Sequence, residues 1–242
     1  MNLVLDIGNT RVKAALFQQD TLLAHTNFSL GEPDALHRFI FEKKPSRLII
    51  SSVIAELPLF LEELQQNIHT IPFTSESLLP FLNKYKSAST LGSDRLAAAA
   101  GAWKRFPRQN VLVIDSGTCI KYNFLNAAGE YLGGGISPGI DMRFRALHAF
   151  TGRLPQMEAD YTRDNLIGMN TQDSILSGVM NGAFEEVSGF IKCYETQYPG
   201  IITVLTGGNH QFFENRLKNR IFALPQIILE GLNEILEYNV KI

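Results

Sequence analysis

The sequence predicts an α/β protein made of two mixed-sheet halves on one plan. Two observations carry this. Apolar strand-like runs alternate with helical periodicity along the chain. One unusual device also occurs twice: an apolar strand ending in Asp-x-Gly, then a threonine and a returning strand.

In the first copy, Leu3, Val4 and Leu5 lead into Asp6-Ile7-Gly8-Asn9-Thr10. Val12, Ala14 and Leu16 then alternate with Arg11, Lys13 and Ala15, as in a returning strand. A carboxylate at a strand end can hold a cation, and Gly8 lets backbone N–H groups approach a phosphate. Asn9 and Thr10 add donors. Taken alone, this stretch reads equally as a plain hairpin with Gly-Asn in its turn. The second copy is Val111-Leu112-Val113-Ile114-Asp115-Ser116-Gly117-Thr118, after which Ile120, Tyr122 and Phe124 alternate with Cys119, Lys121 and Asn123. Lys13 and Lys121 each lie three residues past the threonine. The repetition favours the phosphate-binding reading.

The remaining elements follow in order. Gln18-Gln19-Asp20 is a turn and Thr21 to Phe28 a third strand. Pro33 opens a short helix with Leu36, Phe39 and Ile40 on its apolar stripe. Leu48-Ile49-Ile50 is a buried strand ending in Ser51-Ser52, and Phe60, Leu61, Leu64 and Ile68 mark the next helix. Ser75 to Ser89 is less regular and carries Lys84, Tyr85 and Lys86. Thr90-Leu91-Gly92 leads to a helix with Ser93 as its expected N-cap and Leu96, Ala99, Ala100 and Trp103 at helical spacing. Pro107 closes it. By spacing alone, Asp94 reads as a first-turn acid favoured by the helix dipole and Arg95 as its solvated partner.

The halves meet near Pro107 to Asn110. In the second, Asn126-Ala127-Ala128-Gly129 turns into a third strand from Glu130 to Leu132. Gly133-Gly134-Gly135-Ile136-Ser137-Pro138-Gly139 then enters a helix bearing Ile140, Phe144 and Leu147. Pro138 breaks a G-x-G-x-x-G dinucleotide pattern, and no Walker-type loop occurs, so a nucleotide must be held by another scheme. Gly139 to Tyr198 is extra helical material. Thr171 is the expected N-cap of a long helix with Ile175, Val179, Phe184, Val187 and Ile191. Ser174, Gly178 and Gly182 recur every four residues, which suits internal packing or a subunit interface. Ile201 to Leu205 is a strand, and Gly207-Gly208 at its end suits the close approach of adenine and ribose, although it also reads as an ordinary strand-to-helix turn. Ile221 to Leu224 is the last strand, and Pro225 precedes a closing helix with Ile228, Leu232, Ile235 and Leu236.

Composition narrows the function. The chain has 242 residues, 45% hydrophobic, with a formal charge of −2, so no basic nucleic-acid surface is indicated. It lacks an 18-residue apolar run, and Asp6 interrupts the first apolar stretch at once, so neither a spanning helix nor a secretion signal is expected. Cys119 and Cys193 lie far apart, which fits a reduced, cytoplasmic protein. His25, His37, His69, His148 and His210 show no metal-ligand spacing. A G-x-S-x-G nucleophile elbow is missing around Ser116, and no base is legible beside Cys119.

Asp6-Ile7-Gly8-Asn9-Thr10, Gly92-Ser93-Asp94-Arg95, Asp115-Ser116-Gly117-Thr118 and the Gly133–Gly139 run resemble, in order, the motifs of type III pantothenate kinases. These belong to the acetate kinase/sugar kinase/Hsc70/actin superfamily. The resemblance runs from Met1 into the C-terminal helix. It implies a duplicated actin-like (ribonuclease H-like) fold, with residues 1–108 as the N-terminal half and 109–242 as the C-terminal half. A nucleotide cleft would lie between them, and a helical dimerisation insert at about 139–198 would make a homodimer.

The implied activity is ATP-dependent phosphorylation of pantothenate to 4′-phosphopantothenate, the first step of coenzyme A biosynthesis. By resemblance, Asp6, Ile7, Gly8, Asn9, Thr10, Arg11, Val12, Lys13 and Thr118 bind the ATP phosphates, and Gly207 and Gly208 form the adenosine loop. Asp115 holds a monovalent cation, K⁺ or NH₄⁺, while Asp6 is a candidate Mg²⁺ ligand. Tyr85, Gly92, Ser93, Asp94, Arg95 and Thr171 take pantothenate, with Asp94 as proton acceptor. No residue beyond Gly208 is identifiable as an adenine contact. Two alternatives stand beside this reading: a non-catalytic regulator that keeps the kinase fold, and a kinase for another small alcohol. Intact phosphate turns and an intact acid at Asp94 weigh against the first, and Gly92-Ser93-Asp94-Arg95 with Tyr85 weighs against the second.

Overall fold

The computed structural model describes residues 1–8, 11–29, 36, 38–40, 43–54, 59–71, 73–74, 77–217 and 221–240. The chain packs as two compact units. One comprises Met1–Gln109, Leu125–Gly133 and Gln226–Ile242, and the other Asn110–Phe124 and Gly134–Pro225.

In the first unit, β1 (Asn2–Ile7) is buried along its whole length, as its continuous apolar run requires of a central strand. It pairs antiparallel with β2 (Arg11–Gln18), placing Asp6 opposite Lys13, and parallel with β4 (Arg47–Ser52). β3 (Thr21–Ser29) lies outside β2, and β5 (His69–Ile71) outside β4. Leu3, Leu5, Ile7, Val12, Ala14 and Leu16 form one core with Leu36, Leu48 and Leu61. Leu61 comes from α1 (Leu59–Asn67). Leu36 and residues 38–40 are helical, as expected, but Pro33 and the Phe60 side chain lie outside the described residues.

Against this sheet pack α2 (Ser93–Arg105) and α6 (Ile227–Val240). Their contact is a glycine contact. A Cβ on Gly101 would lie 2.2 Å from the Ile227 carbonyl oxygen. Arg105 binds Glu230 through two N–H groups at 2.8 and 2.7 Å, and buried Asn233 accepts from Asn2 Nδ2 at 2.8 Å while donating to the Gln19 carbonyl at 2.8 Å. A single division at residue 108 therefore marks only the first crossing of the chain. The closing helix returns to the first unit, because its apolar face is matched to the alanine-rich face of α2.

The two-residue β6 (Leu82–Asn83) escapes sequence analysis and pairs parallel with β9 (Glu130–Gly133), the strand expected from Glu130. In the second unit, β7 (Val111–Ser116) has β8 (Cys119–Leu125) on one side and the parallel β11 (Ile202–Thr206) on the other, with β12 (Phe222–Ala223) beyond it. This repeats the arrangement of β2, β1, β4 and β5, so the expected duplication is present. Within the glycine run that leads to the next helix, β10 (Ile136–Pro138) also pairs with β8. α3 (Ile140–Ala149), α4 (Thr171–Gln197) and α5 (His210–Leu217) complete the unit. Its core joins Leu112, Ile114, Ile120 and Leu205 to Phe144, Val179, Val187 and Phe213.

Candidate active site

In the first unit, β1 delivers Asp6 to a strand end with only 8% of its surface exposed, and Lys13 Nζ stands 3.9 Å away across the hairpin. Ile7 and Val12 are wholly buried and fix the turn from below. Gly8 donates its N–H to the Arg11 carbonyl at 2.9 Å, while Arg11 is exposed. Asn9 and Thr10 lie outside the described residues.

The Gly92–Arg95 motif opens α2. The helix cap is Gly92, not Ser93 as expected, and no side chain caps the end. Ser93 Oγ instead lies 2.8 Å from Ser51 Oγ, tying the helix start to the end of β4. Asp94 Oδ1 reaches back to Gly92 and lies 2.6 Å from where a Cβ there would stand. The Asp94 carboxylate thus folds back over the first turn, where the helix dipole favours an anion. Arg95 is not a solvated partner: it is 4% exposed, with its guanidinium 5.6 Å from the centre of the Tyr85 ring, a cation–π arrangement. Gly133, at φ +101°, makes room for Tyr85, since a Cβ would meet that ring at 2.8 Å. A cavity of about 630 Å³ adjoins Gly92 and Ser93 and is lined also by Ser52, Val53, Thr70 and Thr90. Its volume suits a small metabolite.

In the second unit, Asp115 is 6% exposed and accepts a hydrogen bond from Lys121 Nζ at 2.8 Å. Gly117 donates to the Cys119 carbonyl at 3.0 Å, so this turn closes one residue sooner than the turn at Gly8. Thr118 is exposed. Buried Ser116 Oγ has no hydrogen-bond partner among the described residues. Gly207, at φ +92°, lies against the turn: a Cβ would stand 2.4 Å from the Ser116 carbonyl oxygen and 2.6 Å from Asp115 Oδ1. The next residues secure the contact, because Asn209 N–H donates to the Ser116 carbonyl at 3.0 Å. Thr171 is exposed at the first position of α4, and the cap is Asn170, whose side chain accepts from Asp173 N–H at 2.9 Å.

One polar cluster had no signal in the sequence. Glu186, in mid-helix on α4, accepts from Tyr122 Oη at 2.9 Å, from Ser137 Oγ at 2.5 Å and from Arg143 Nη2 at 2.5 Å. Burial alone raises a carboxyl pKa, but these hydrogen bonds outweigh it and hold Glu186 below its ordinary value. Burial and the Glu186 charge push the Tyr122 hydroxyl up, so it stays a donor. Arg143 Nε also donates to the Pro138 carbonyl at 2.9 Å, and Gly139 N–H to that of Thr118 at 3.1 Å. The cluster thereby braces the backbone behind the Asp115–Thr118 turn.

A family model described as type III pantothenate kinase matches residues 2–193. The chain belongs to the type III pantothenate kinase family. A type III pantothenate kinase from Flavobacterium johnsoniae is 44% identical over 99% of each chain. One from Christiangramia forsetii is 42% identical over 99% of each. One from Bacteroides fragilis is 39% identical, over 99% of this chain and 98% of its own.

Among solved structures, a Campylobacter jejuni protein described as a conserved Baf family transcriptional activator superposes with a TM-score of 0.64 at 22% identity, over 99% of this chain and 100% of its own. The activator of 2-hydroxyisocaproyl-CoA dehydratase from Clostridium difficile superposes with a TM-score of 0.57 at 13% identity, over 99% and 94%. These likenesses are of fold alone, and with the repeated sheet they make this pantothenate kinase family member an α/β protein of duplicated actin-like fold.

Proposed function

We propose that this chain transfers the γ-phosphoryl group of ATP to the 4′-hydroxyl of pantothenate, the first step of coenzyme A biosynthesis. The observation that carries the reading is the buried Asp94–Arg95 pair at the start of α2, in a chain of the pantothenate kinase family. Asp94 orients the attacking alcohol and takes its proton as the oxygen bonds to phosphorus and ADP leaves. Arg95 binds the pantothenate carboxylate through paired N–H groups, and Tyr85 keeps the guanidinium in place. Gly92, Ser93 and Thr171 complete this substrate site.

On the nucleotide side, the segment from Asp6 to Lys13 and Thr118 receive the phosphates, and Gly207 and Gly208 admit the adenosine. Phosphoryl transfer depends mainly on alignment and charge neutralisation, which backbone turns and cations supply. The described residues contain no group of three or more His, Cys, Asp or Glu side chains able to hold a metal. Single carboxylates fit Mg²⁺ nonetheless, since that ion keeps several waters and takes phosphate oxygens as ligands. Asp6 would hold Mg²⁺, which when bound neutralises phosphate charge, and Asp115 would hold K⁺ or NH₄⁺. The reading includes a homodimer formed through α4 and a cytoplasmic location. No described helix is long and apolar enough to cross a membrane.

The test is ADP release by purified protein with Mg²⁺ and K⁺, measured with and without pantothenate. Pantothenate-dependent release is expected. Its absence would replace the kinase reading with that of a regulator retaining the fold.

A further inference from the structure

Arg143, near the start of α3, grips the segment in front of its own helix twice. Its Nε–H donates to the Pro138 carbonyl at 2.9 Å, and its backbone N–H to the Gly139 carbonyl at 3.0 Å. On its other side, Nη2 donates to Glu186 Oε2 at 2.5 Å, while Glu186 Oε1 accepts from Tyr122 and Ser137. Tyr122 is wholly buried and stacked on Phe190 of α4, with centroids 4.1 Å apart at 16°. What Arg143 holds is in turn pressed onto the Asp115–Thr118 turn. A Cβ on Gly139 would stand 2.3 Å from the Gly117 carbonyl oxygen and 2.5 Å from that of Thr118. The Gly139 N–H also donates to the Thr118 carbonyl at 3.1 Å. Backbones this close move together. Thr118, at the end of the chain of contacts, is exposed.

We propose that Arg143 is a positioning residue for phosphoryl transfer. Anchored by Glu186, it fixes Pro138 and Gly139, and through them it sets the Gly117–Thr118 turn against the ATP phosphates. The proposal rests on the reading above, in which Thr118 receives those phosphates, and adds a residue to it. Glu186 neutralises the guanidinium, so Arg143 contributes geometry rather than charge. The planar fork bonds two acceptors in different directions at once, which the compact ammonium of lysine does not reproduce. A phosphate cradle works by being preorganised, and a misplacement of about 1 Å costs on the order of 10²-fold in rate. The adenosine and pantothenate contacts proposed above lie on other segments. A loosened turn should therefore be felt at the phosphates.

The test combines steady-state kinetics in ATP and pantothenate with calorimetric binding of ADP and adenosine. The proteins are wild type, Arg143→Met, Arg143→Lys, Glu186→Gln and the Arg143→Met/Glu186→Gln double variant, all held below the lowest Tm of the set. Arg143→Met should lower kcat/KM for ATP and the affinity for ADP, each on the order of tenfold. Adenosine affinity and the pantothenate KM should change less than about twofold, as expected of independent sites. Arg143→Lys should recover little of the loss. Glu186→Gln should shift the same two quantities in the same direction, and the double variant should be no worse than Arg143→Met, because Glu186 acts through Arg143. Should Arg143→Met not fold, Arg143→Lys and Glu186→Gln carry the same comparison. Wild-type ADP affinity and kcat/KM in the variants would overturn the positioning role, and so would ADP, adenosine and pantothenate weakening in step. A fully active Arg143→Lys would overturn the argument from the fork, and additive losses in the double variant would overturn the link to Glu186. A wild type that binds ADP no more tightly than adenosine would also overturn the proposal. Where ADP does bind more tightly, the binding comparison decides even if the ADP-release assay fails, so the two readings fall separately.

Discussion

Gly231 of α6 lies against the backbone of Ala97 in α2: a Cβ on Gly231 would stand 1.8 Å from the Ala97 carbonyl oxygen and 2.7 Å from Gly101 N. No side chain can enter this gap without moving one helix. Gly231→Ala should therefore destabilise the protein despite the better helix propensity of alanine, by about 1–3 kcal/mol as overpacking does. Thermal melts of wild type and variant check this, and an unchanged or raised Tm would show that the helices separate easily. Because α2 also carries Asp94 and Arg95, turnover should fall with stability.

Asp94→Asn removes the proton acceptor at nearly constant volume. General-base groups contribute about 10²–10⁴-fold, so turnover should drop in that range while pantothenate still binds. Steady-state kinetics with pantothenate titration decide it. A kcat within a few-fold of wild type would leave Asp94 as an acid that serves only the helix start.

The parts of the site legible in the sequence are those whose chemistry is local. Asp6 and Asp115 end runs of alternating or continuous apolar residues, and a strand end can be read from a handful of neighbours. Asp94 and Arg95 could be located, but not the burial of Arg95 against Tyr85, for which Gly133 of the distant β9 makes room. The two cap assignments slipped by one residue for a simple reason. Gly92 and Ser93, like Asn170 and Thr171, are adjacent residues that each suit a cap, and only the backbone path chooses between them. β6 has two residues and no periodicity to read. The Glu186 cluster draws on three separate elements, and nothing in the local pattern of α4 marks that glutamate out from Glu185 beside it.

Glu186 makes stability depend on pH with a definite sign. Its pKa is lower in the folded protein than the ordinary 4.5, so its contribution is fully present above that value and is lost as pH falls through the folded value. Glu186→Gln should lower Tm at pH 7, leaving Arg143 without its anionic partner, and hydrogen bonds to charged groups are worth about 1.5–3 kcal/mol. The gap between wild type and variant should close as both are melted at successively lower pH below 4.5. A gap constant down to the acid limit would mean that the carboxylate charge contributes nothing.

A requirement for K⁺ or NH₄⁺ is expected from Asp115. Lys121 already supplies one positive charge at 2.8 Å, so an added cation must coordinate beside it. Rates should be low in Na⁺-only buffer and recover when K⁺ is added. Equal rates in both buffers would leave Asp115 as the partner of Lys121 alone.

Gly182→Leu should separate the proposed dimer without unfolding the protomer. A Cβ at Gly182, as at Gly178, meets nothing within 4 Å among the described residues, so the protomer leaves room for a side chain to start there. Light scattering should show a dimer for wild type and a monomer for the variant, and pantothenate affinity should fall with dissociation, because Thr171 begins the same helix. A monomeric wild type, or a monomeric variant with unchanged affinity, would remove the shared-helix argument.

The return of α6 to the first unit sets a timetable for the nascent chain. When Gln109 has just been added to the growing chain, the face of α2 around Ala97 and Gly101 has no helix to cover it, and Gln226 is still 117 residues from being made. At ordinary translation speeds of about 5–20 residues per second that wait is on the order of ten seconds. The second unit ends at Pro225 and can close first. The unit that holds β1 therefore cannot be completed until α6 is made, after every residue of the second unit.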